Sequence, residues 1–239
     1  MSMVSDPRFL YDEQHHSGVD FSDEREVEAY DSYMQKLRNI RGEIDKIKEA
    51  VKISSEDVVL DIGTGTGEIP MGLAACCKQV TAVDISAAMI KYAKQKAEQR
   101  GASSVKFLQA GFLTFQFQQE SFDLVISQMA LHHLPDFWKY IALKRIREVL
   151  KPDGRFFFQD AVLPAVEDYD HYFNDAVSKI EAVGGAKVAK DSEKSFRDEF
   201  VTIDWAMENL LDKAGFNIIR KEYSAPFVGT YLCRKAVKQ

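Results

Sequence analysis

The chain has 239 residues, 46% of them hydrophobic, enough to bury the core of one α/β domain with additions. Its 37 acidic residues against 31 Lys and Arg leave a formal charge of -6, and no basic run is long enough to track a phosphate backbone, so nucleic acid is not expected as a partner. No stretch approaches the roughly eighteen apolar residues of a membrane span, and the first residues lack the charged-then-apolar layout of a signal peptide, which together point to the cytoplasm. Cys76, Cys77 and Cys233 form neither a disulfide framework nor a metal-ligand spacing and read as small core residues.

In chain order, segment 5–23 is polar, contains His15-His16, and is expected to be a mobile flap or a frayed end. Val27, Tyr30, Met34, Leu37, Ile40, Ile44, Ile47 and Val51 recur every three or four residues, which predicts one amphipathic helix or a broken pair. Strands are predicted near 57–62, 79–84, 104–109, 122–127 and 155–160, separated by helical stretches that include 86–100, capped by Ser86, and 136–150. That alternation implies right-handed βαβ crossovers and a parallel sheet. Segment 161–202 is too long to be a bare connection. It carries Tyr169, His171, Tyr172 and Phe173, then Phe196, Arg197, Glu199 and Phe200, with Gly184-Gly185 between them as a possible hinge. It reads either as a substrate lid that excludes water or as a helical hairpin packing its own aromatics. A helix over 203–214 ended by Gly215 and two late strands, 216–223 and 227–234, joined through Ala225-Pro226, complete the chain.

The run Val59-Leu60-Asp61-Ile62-Gly63-Thr64-Gly65-Thr66-Gly67-Glu68 is an apolar strand ending in an acid and three alternating glycines. Such a turn admits positive φ and removes the Cβ atoms that would block a ligand lying across it. The strand ending at Asp84 places a second carboxylate where it can hold a ribose diol. The dinucleotide fingerprint G-x-G-x-x-G fails in both registers, because Glu68 and Pro70 stand where the last glycine is required. Glu68, in the first helical turn, would also repel a pyrophosphate, and Asp61 suits an ammonium or hydroxyl donor better than a phosphate. The expected ligand is a nucleoside with an amino-acid tail.

These residues resemble the class I S-adenosylmethionine (SAM) dependent methyltransferases, in the subgroup of small-molecule and quinone-type methylases. The resemblance runs from about Val58 to Gln159 and is carried by segments in fixed order: Val59 to Gly67; Val83-Asp84-Ile85-Ser86 with Met89 and Ala93; Ser121 to Ser127; Leu131-His132-His133-Leu134; and Val149 to Arg155. It implies a doubly wound, mostly parallel seven-stranded α/β sheet of Rossmann-like methyltransferase fold, with an antiparallel C-terminal edge, N-terminal helices and a lid insertion. On that basis 1–239 is expected as a single domain: cap helices 1–52, SAM-binding core 53–160, lid 161–202, and C-terminal helix and β-hairpin 203–239. The resemblance further implies methyl transfer to a small-molecule acceptor by a monomer or homodimer. The glycine turn would lie against the methionine part of SAM and Asp84 would bind both ribose hydroxyls. The cofactor set implied is Tyr33, Asp61, Gly63, Thr64, Gly65, Gly67, Asp84, Ile85, Met89, Gly111, Phe112 and Ser127. In relatives a helix like the N-terminal one closes over SAM, so Tyr30, Tyr33 or Arg38 could reach its carboxylate. One departure stands out: the family often has an acid after the third strand, accepting from the adenine amino group, and here that position is Gly111. Adenine would then fall to backbone groups and to the ring of Phe112.

Methyl transfer is an in-line displacement at a carbon already activated by the sulfonium, so alignment and desolvation are the main demands on the protein. A hydroxyl acceptor must also lose a proton. Candidates at the strand ends are His133, His132 and Asp160, of which His133 and Asp160 are taken as the catalytic pair. No metal is expected, since no carboxylate pair has suitable spacing. Protein or RNA methylation, and a SAM-binding protein without catalysis, are the competing readings; related scaffolds host many acceptors, so fold alone does not choose among them.

Overall fold

The structure is a computed structural model that describes residues 9–15 and 23–236, apart from the side chains of residues 26, 29, 32, 33 and 35–37. Strands β1 (Val58–Ile62), β2 (Gln79–Asp84), β3 (Val105–Gln109), β4 (Phe122–Gln128) and β5 (Leu150–Leu163) are parallel, and β7 (Phe216–Ala225) and β8 (Val228–Lys235) form the antiparallel edge. The sheet order is β3-β2-β1-β4-β5-β8-β7. The seven expected strands gain an eighth, the two-residue β6 (Thr202–Ile203), which pairs with Val162 and Leu163 at the end of β5. β5 begins earlier than the hydrophobic pattern predicts, because a bulge carries its pairing from Leu150 to Arg155.

The central strands are nearly all apolar because both faces are covered. Leu60, Ile62, Val125, Phe156, Phe158 and Tyr231 pack into one core, while Val59, Leu124, Ile126 and Phe157 alternate into the other. Helices α3 (Glu68–Leu73), α4 (Ala87–Gln99), α5 (Asp136–Val149) and α8 (Asp204–Ala214) supply the cover. Ser86 caps α4 by accepting from the Met89 amide at 3.1 Å, as its position predicts. The strand order reverses between β1 and β4, which opens a crevice at their carboxyl ends, the usual ligand position in such sheets.

The N-terminal stripe resolves into a broken pair, α1 (Glu24–Leu37) and α2 (Ile40–Val51). Arg38 is extended, and the Asn39 side chain restarts the helix by accepting from the Gly42 amide. α2 buries Ile44, Ile47 and Val51 in the second core. α1 is instead held by charge: Asp31 accepts from Thr66 of the glycine turn at 2.5 Å and pairs with the buried Lys96 of α4 at 2.5 Å. Lys96 also pairs with Glu68, which Arg100 grips in turn. Glu68 is therefore neutralised within the fold, a role its position in the first turn of α3 did not disclose.

Segment 161–202 contains α6 (Tyr169–Gly184) and α7 (Ala186–Asp198), separated by Gly185 at φ +82°. The aromatics do pack on one another: Phe173 meets Phe196 edge-on at 4.9 Å, and Phe196 meets Phe227 at 4.7 Å. Of the cysteines, Cys233 is core, whereas Cys76 and Cys77 are only half-buried beyond the end of α3.

Phe158 has no exposure and stacks between Phe156 at 5.0 Å and Tyr231 at 4.9 Å. Phe158→Ala should cost about 3–5 kcal/mol of unfolding free energy through the cavity left in the sheet core. Denaturant unfolding measures it, and a loss below about 1 kcal/mol would mean that this ring stack carries no stability.

Candidate functional site

The carboxyl ends of β1 and β2 are knitted together by backbone bonds. The amides of Gly63 and Thr64 both donate to the Val83 carbonyl, at 2.9 and 3.0 Å. Asp84 answers from the other side: one carboxylate oxygen accepts from the Gly65 amide at 2.8 Å and the other from the Ser86 amide at 2.9 Å. Gly63 has φ +74°, and a Cβ there would collide with that of Ala130. Gly65 has φ +54° and nothing within 4 Å of where its Cβ would be, so the turn leaves open space above it.

That space is the floor of a cavity of about 850 Å³. Asp61, Gly63, Thr64, Gly65, Asp84, Ile85, Met89, Gly111, Phe112 and His133 all line it, together with Tyr30 and Arg38. Gly67, Ser127 and Asp160 lie outside the lining. Gly67 begins α3 at φ +79°, with Phe107 and Ala93 where a Cβ would stand, so it serves helix-on-strand packing. Ser127 is wholly buried. The Tyr33 side chain lies outside the described residues.

Asp61 is 2% exposed, and its Oδ2 has no hydrogen-bond partner among the described residues. Burial, with a smaller contribution from the Asp84 charge, raises its pKa to about 7. A buried carboxylate oxygen without a donor is costly, and an ammonium group in the cavity would satisfy it. An open glycine cradle, an acid with one unpartnered oxygen beside it and a second acid one strand over fit a nucleoside that carries an amino-acid tail. Phe112 serves two purposes, lining the cavity while 5% exposed in the first core.

Two features of the cavity were invisible in the linear pattern. Met129 adopts φ +48°, its amide drawn to the Gln159 carbonyl at 2.8 Å, a strained left-handed geometry at the cavity wall. Glu13, from the segment expected to be a flap or frayed end, lines the cavity beside Gly111. Its carboxylate accepts from the Leu113 amide at 2.9 Å and the Thr114 hydroxyl at 3.4 Å. Burial raises its pKa to about 7, against the opposing pull of the Leu113 and Phe112 amides, Thr114 and the Arg145 charge.

At the opposite end His132 sits between two carboxylates. Its Nδ1 is 2.6 Å from Asp160 and its Nε2 is 3.3 Å from Glu199, the residue that follows α7. Asp160 is 1% exposed and also accepts from the amides of Ala130, Leu131, His132 and Ala161, so it is fully committed to shaping this loop. Burial disfavours both charges, yet their attraction prevails: His132 rises to about 9 and Asp160 falls to about 2. Ligand atoms of His132, His133 and Glu199 lie within 4.8 Å of one another. Both ring nitrogens of His132 are already engaged, so a cation there would have to displace the Glu199 contact.

Residues 53–214 match the family described as methyltransferase domain. An uncharacterized methyltransferase of Geobacillus kaustophilus is 32% identical over 194 residues, covering 81% of this chain and 83% of that protein. The uncharacterized methyltransferase YcgJ of Bacillus subtilis is 32% identical over 120 residues, 50% of this chain and 47% of its own length. The crystal structure of a SAM-dependent methyltransferase from Aquifex aeolicus superposes with a TM-score of 0.65 at 16% identity, over 90% of this chain and 99% of that one, a likeness of fold. The chain belongs to the methyltransferase-domain family and is a class I SAM-dependent methyltransferase, with SAM as its cofactor.

The buried triad makes stability depend on pH. Because the folded-state pKa of His132 is raised from 6.5 to about 9, its contribution is complete below pH 6.5 and is lost as pH climbs toward 9. Wild-type denaturation midpoints should fall across that window, and those of His132→Gln should be lower but flat. Parallel slopes in the two proteins would assign the titration to another group.

Proposed function

We propose that this enzyme methylates a small-molecule acceptor enclosed beneath α7. The supporting observation is that one cavity joins the glycine turn to Val188, Ser192, Ser195 and Phe196 of α7. Its volume of about 850 Å³ lies within the roughly 300–1,000 Å³ of small-ligand sites. Segment 161–202 is in this reading both things its sequence allowed, a hairpin that packs its own aromatics and a lid over the acceptor. A folded protein or RNA would need an open surface beside the cofactor, where α7 lies instead. The three free thiols agree with a reducing cytoplasm as the place of reaction.

Bound SAM supplies a methyl carbon activated by its sulfonium. Asp84 would hold the ribose hydroxyls, Asp61 the ammonium of the amino-acid tail, and Arg38, which lines the same cavity and is steadied by Glu43 and Gln128, its carboxylate. Ile85, Met89 and Phe112 flank the nucleoside, and α7 excludes water from the transfer. For a hydroxyl acceptor, His133 is the better base. His132 stays protonated at neutral pH, and Asp160 is a positioning residue that holds His132 and the loop amides.

Isothermal titration with S-adenosylhomocysteine tests the cofactor placement. Asp84→Ala should weaken binding by on the order of 3 kcal/mol, about a hundredfold, through two lost charge-assisted hydrogen bonds. Equal affinities would sink the assignment. The acceptor class is tested by incubating the enzyme with methyl-labelled SAM and a fractionated extract. Label should pass to the low-molecular-weight fraction, and label retained on protein or RNA would reverse the reading.

A further inference from the structure

We infer that Glu13, reaching back from the N-terminal segment, supplies the acceptor for the exocyclic amine of the cofactor's adenine that the chain lacks at Gly111. The inference rests on the proposed placement of SAM along the glycine turn and Asp84. The ends of β1, β2 and β3 are neighbours in that order, so a ribose on Asp84 directs its base toward the end of β3, where Gly111, Phe112 and Glu13 line the cavity together.

The geometry at Gly111 is that of a side chain supplied from elsewhere. The Glu13 Cδ and Oε2 atoms lie 2.5 Å from the point a Cβ at residue 111 would occupy, with Oε1 closer still. Glu13 therefore fills the volume in which an aspartate at 111 would hold its own carboxylate. It also makes the bonds of such an aspartate, accepting from the amide of Leu113 and the hydroxyl of Thr114, the local pattern of an Asx turn. Glycine at 111 is what makes room for it.

The contact is built in rather than incidental. Leu10 and Tyr11 pack against the first core, and the Tyr11 ring meets Phe200 edge-on at 6.3 Å, which fixes the segment just before Glu13. The bonds from Leu113 and Thr114 fall on one oxygen, Oε2, the Phe112 amide is a third donor, and a carboxylate offers about four acceptor sites. Acceptor capacity thus remains on a half-buried acid at the cavity wall. Burial raises its pKa to about 7 against the pull of these donors, and an amine brought in by the ligand would add one more.

The arrangement predicts a reciprocal pair of substitutions. Gly111→Asp alone drives a Cβ and a second negative charge into the Glu13 carboxylate, whereas the same change in a Glu13→Ala background restores one acid to the site. We would titrate wild type, E13A, G111D and E13A/G111D with S-adenosylhomocysteine and with its inosine counterpart, which carries oxygen in place of the amine. E13A should bind the adenosine compound roughly tenfold more weakly while its affinity for the inosine compound is unchanged or improved. The double variant should return to within about threefold of wild type, and G111D alone should remain weak. The isosteric E13Q, which preserves packing, should show a smaller loss of the same selectivity. Equal losses for both nucleosides, no loss in E13A and E13Q, or no rescue in the double variant would overturn the inference. Failure of the underlying placement has a separate signature, wild type and Asp84→Ala binding S-adenosylhomocysteine alike.

Discussion

The site depends on the two-sided grip of one carboxylate. Asp84 accepts from the Gly65 amide with one oxygen and the Ser86 amide with the other, so the glycine turn after β1 and the start of α4 after β2 are held as a unit. A turn with positive φ at three glycines has little of its own to hold it beyond the Thr66 hydroxyl on Asp31. The neighbouring strand supplies that restraint through Asp84 and the Val83 carbonyl. An acid already polarised by two amides is also pre-placed for hydroxyl donors, which is why one residue can serve both the fold and the ligand.

Other parts of the cavity are held by charge across long sequence separations. Asp31, Lys96, Glu68 and Arg100 fasten α1 to the glycine turn and α4, and the triad of Asp160, His132 and Glu199 fastens the end of α7 to the sheet. Such buried pairs are expensive to desolvate, and their return is in specificity of arrangement more than in stability. Here they fix where two cap elements sit over a pocket. The backbone bond from the Phe200 amide to the His132 carbonyl, 3.0 Å, reinforces the same junction.

Much of the architecture was legible in advance. Strand positions and the caps at Ser86 and Gly215 follow from apolar periodicity and turn chemistry, which are local properties, and the antiparallel edge from the family resemblance. The glycine turn and the two acids at strand ends could likewise be read, because a short motif on consecutive strands leaves little freedom in where its residues point. The reading was less complete where a residue's partner is remote. Asp160 sits at a strand end like a catalytic acid, yet four amides and His132 consume it. Ser127 follows the family segment but is wholly buried and does not line the cavity, and Gly67 faces Phe107 rather than ligand space.

The sequence by itself determined the class of this protein and its sheet and pointed to a nucleoside site, through periodicity, spacing within single loops and the family resemblance that those segments carry. Only the tertiary structure decided the remainder: that His132 is a charged member of a buried triad, that α7 roofs the cavity, and that Glu13 stands over Gly111. Each of these joins groups far apart in the chain. Their positions are set by how helices and termini pack on the finished sheet, and no local pattern of residues encodes that.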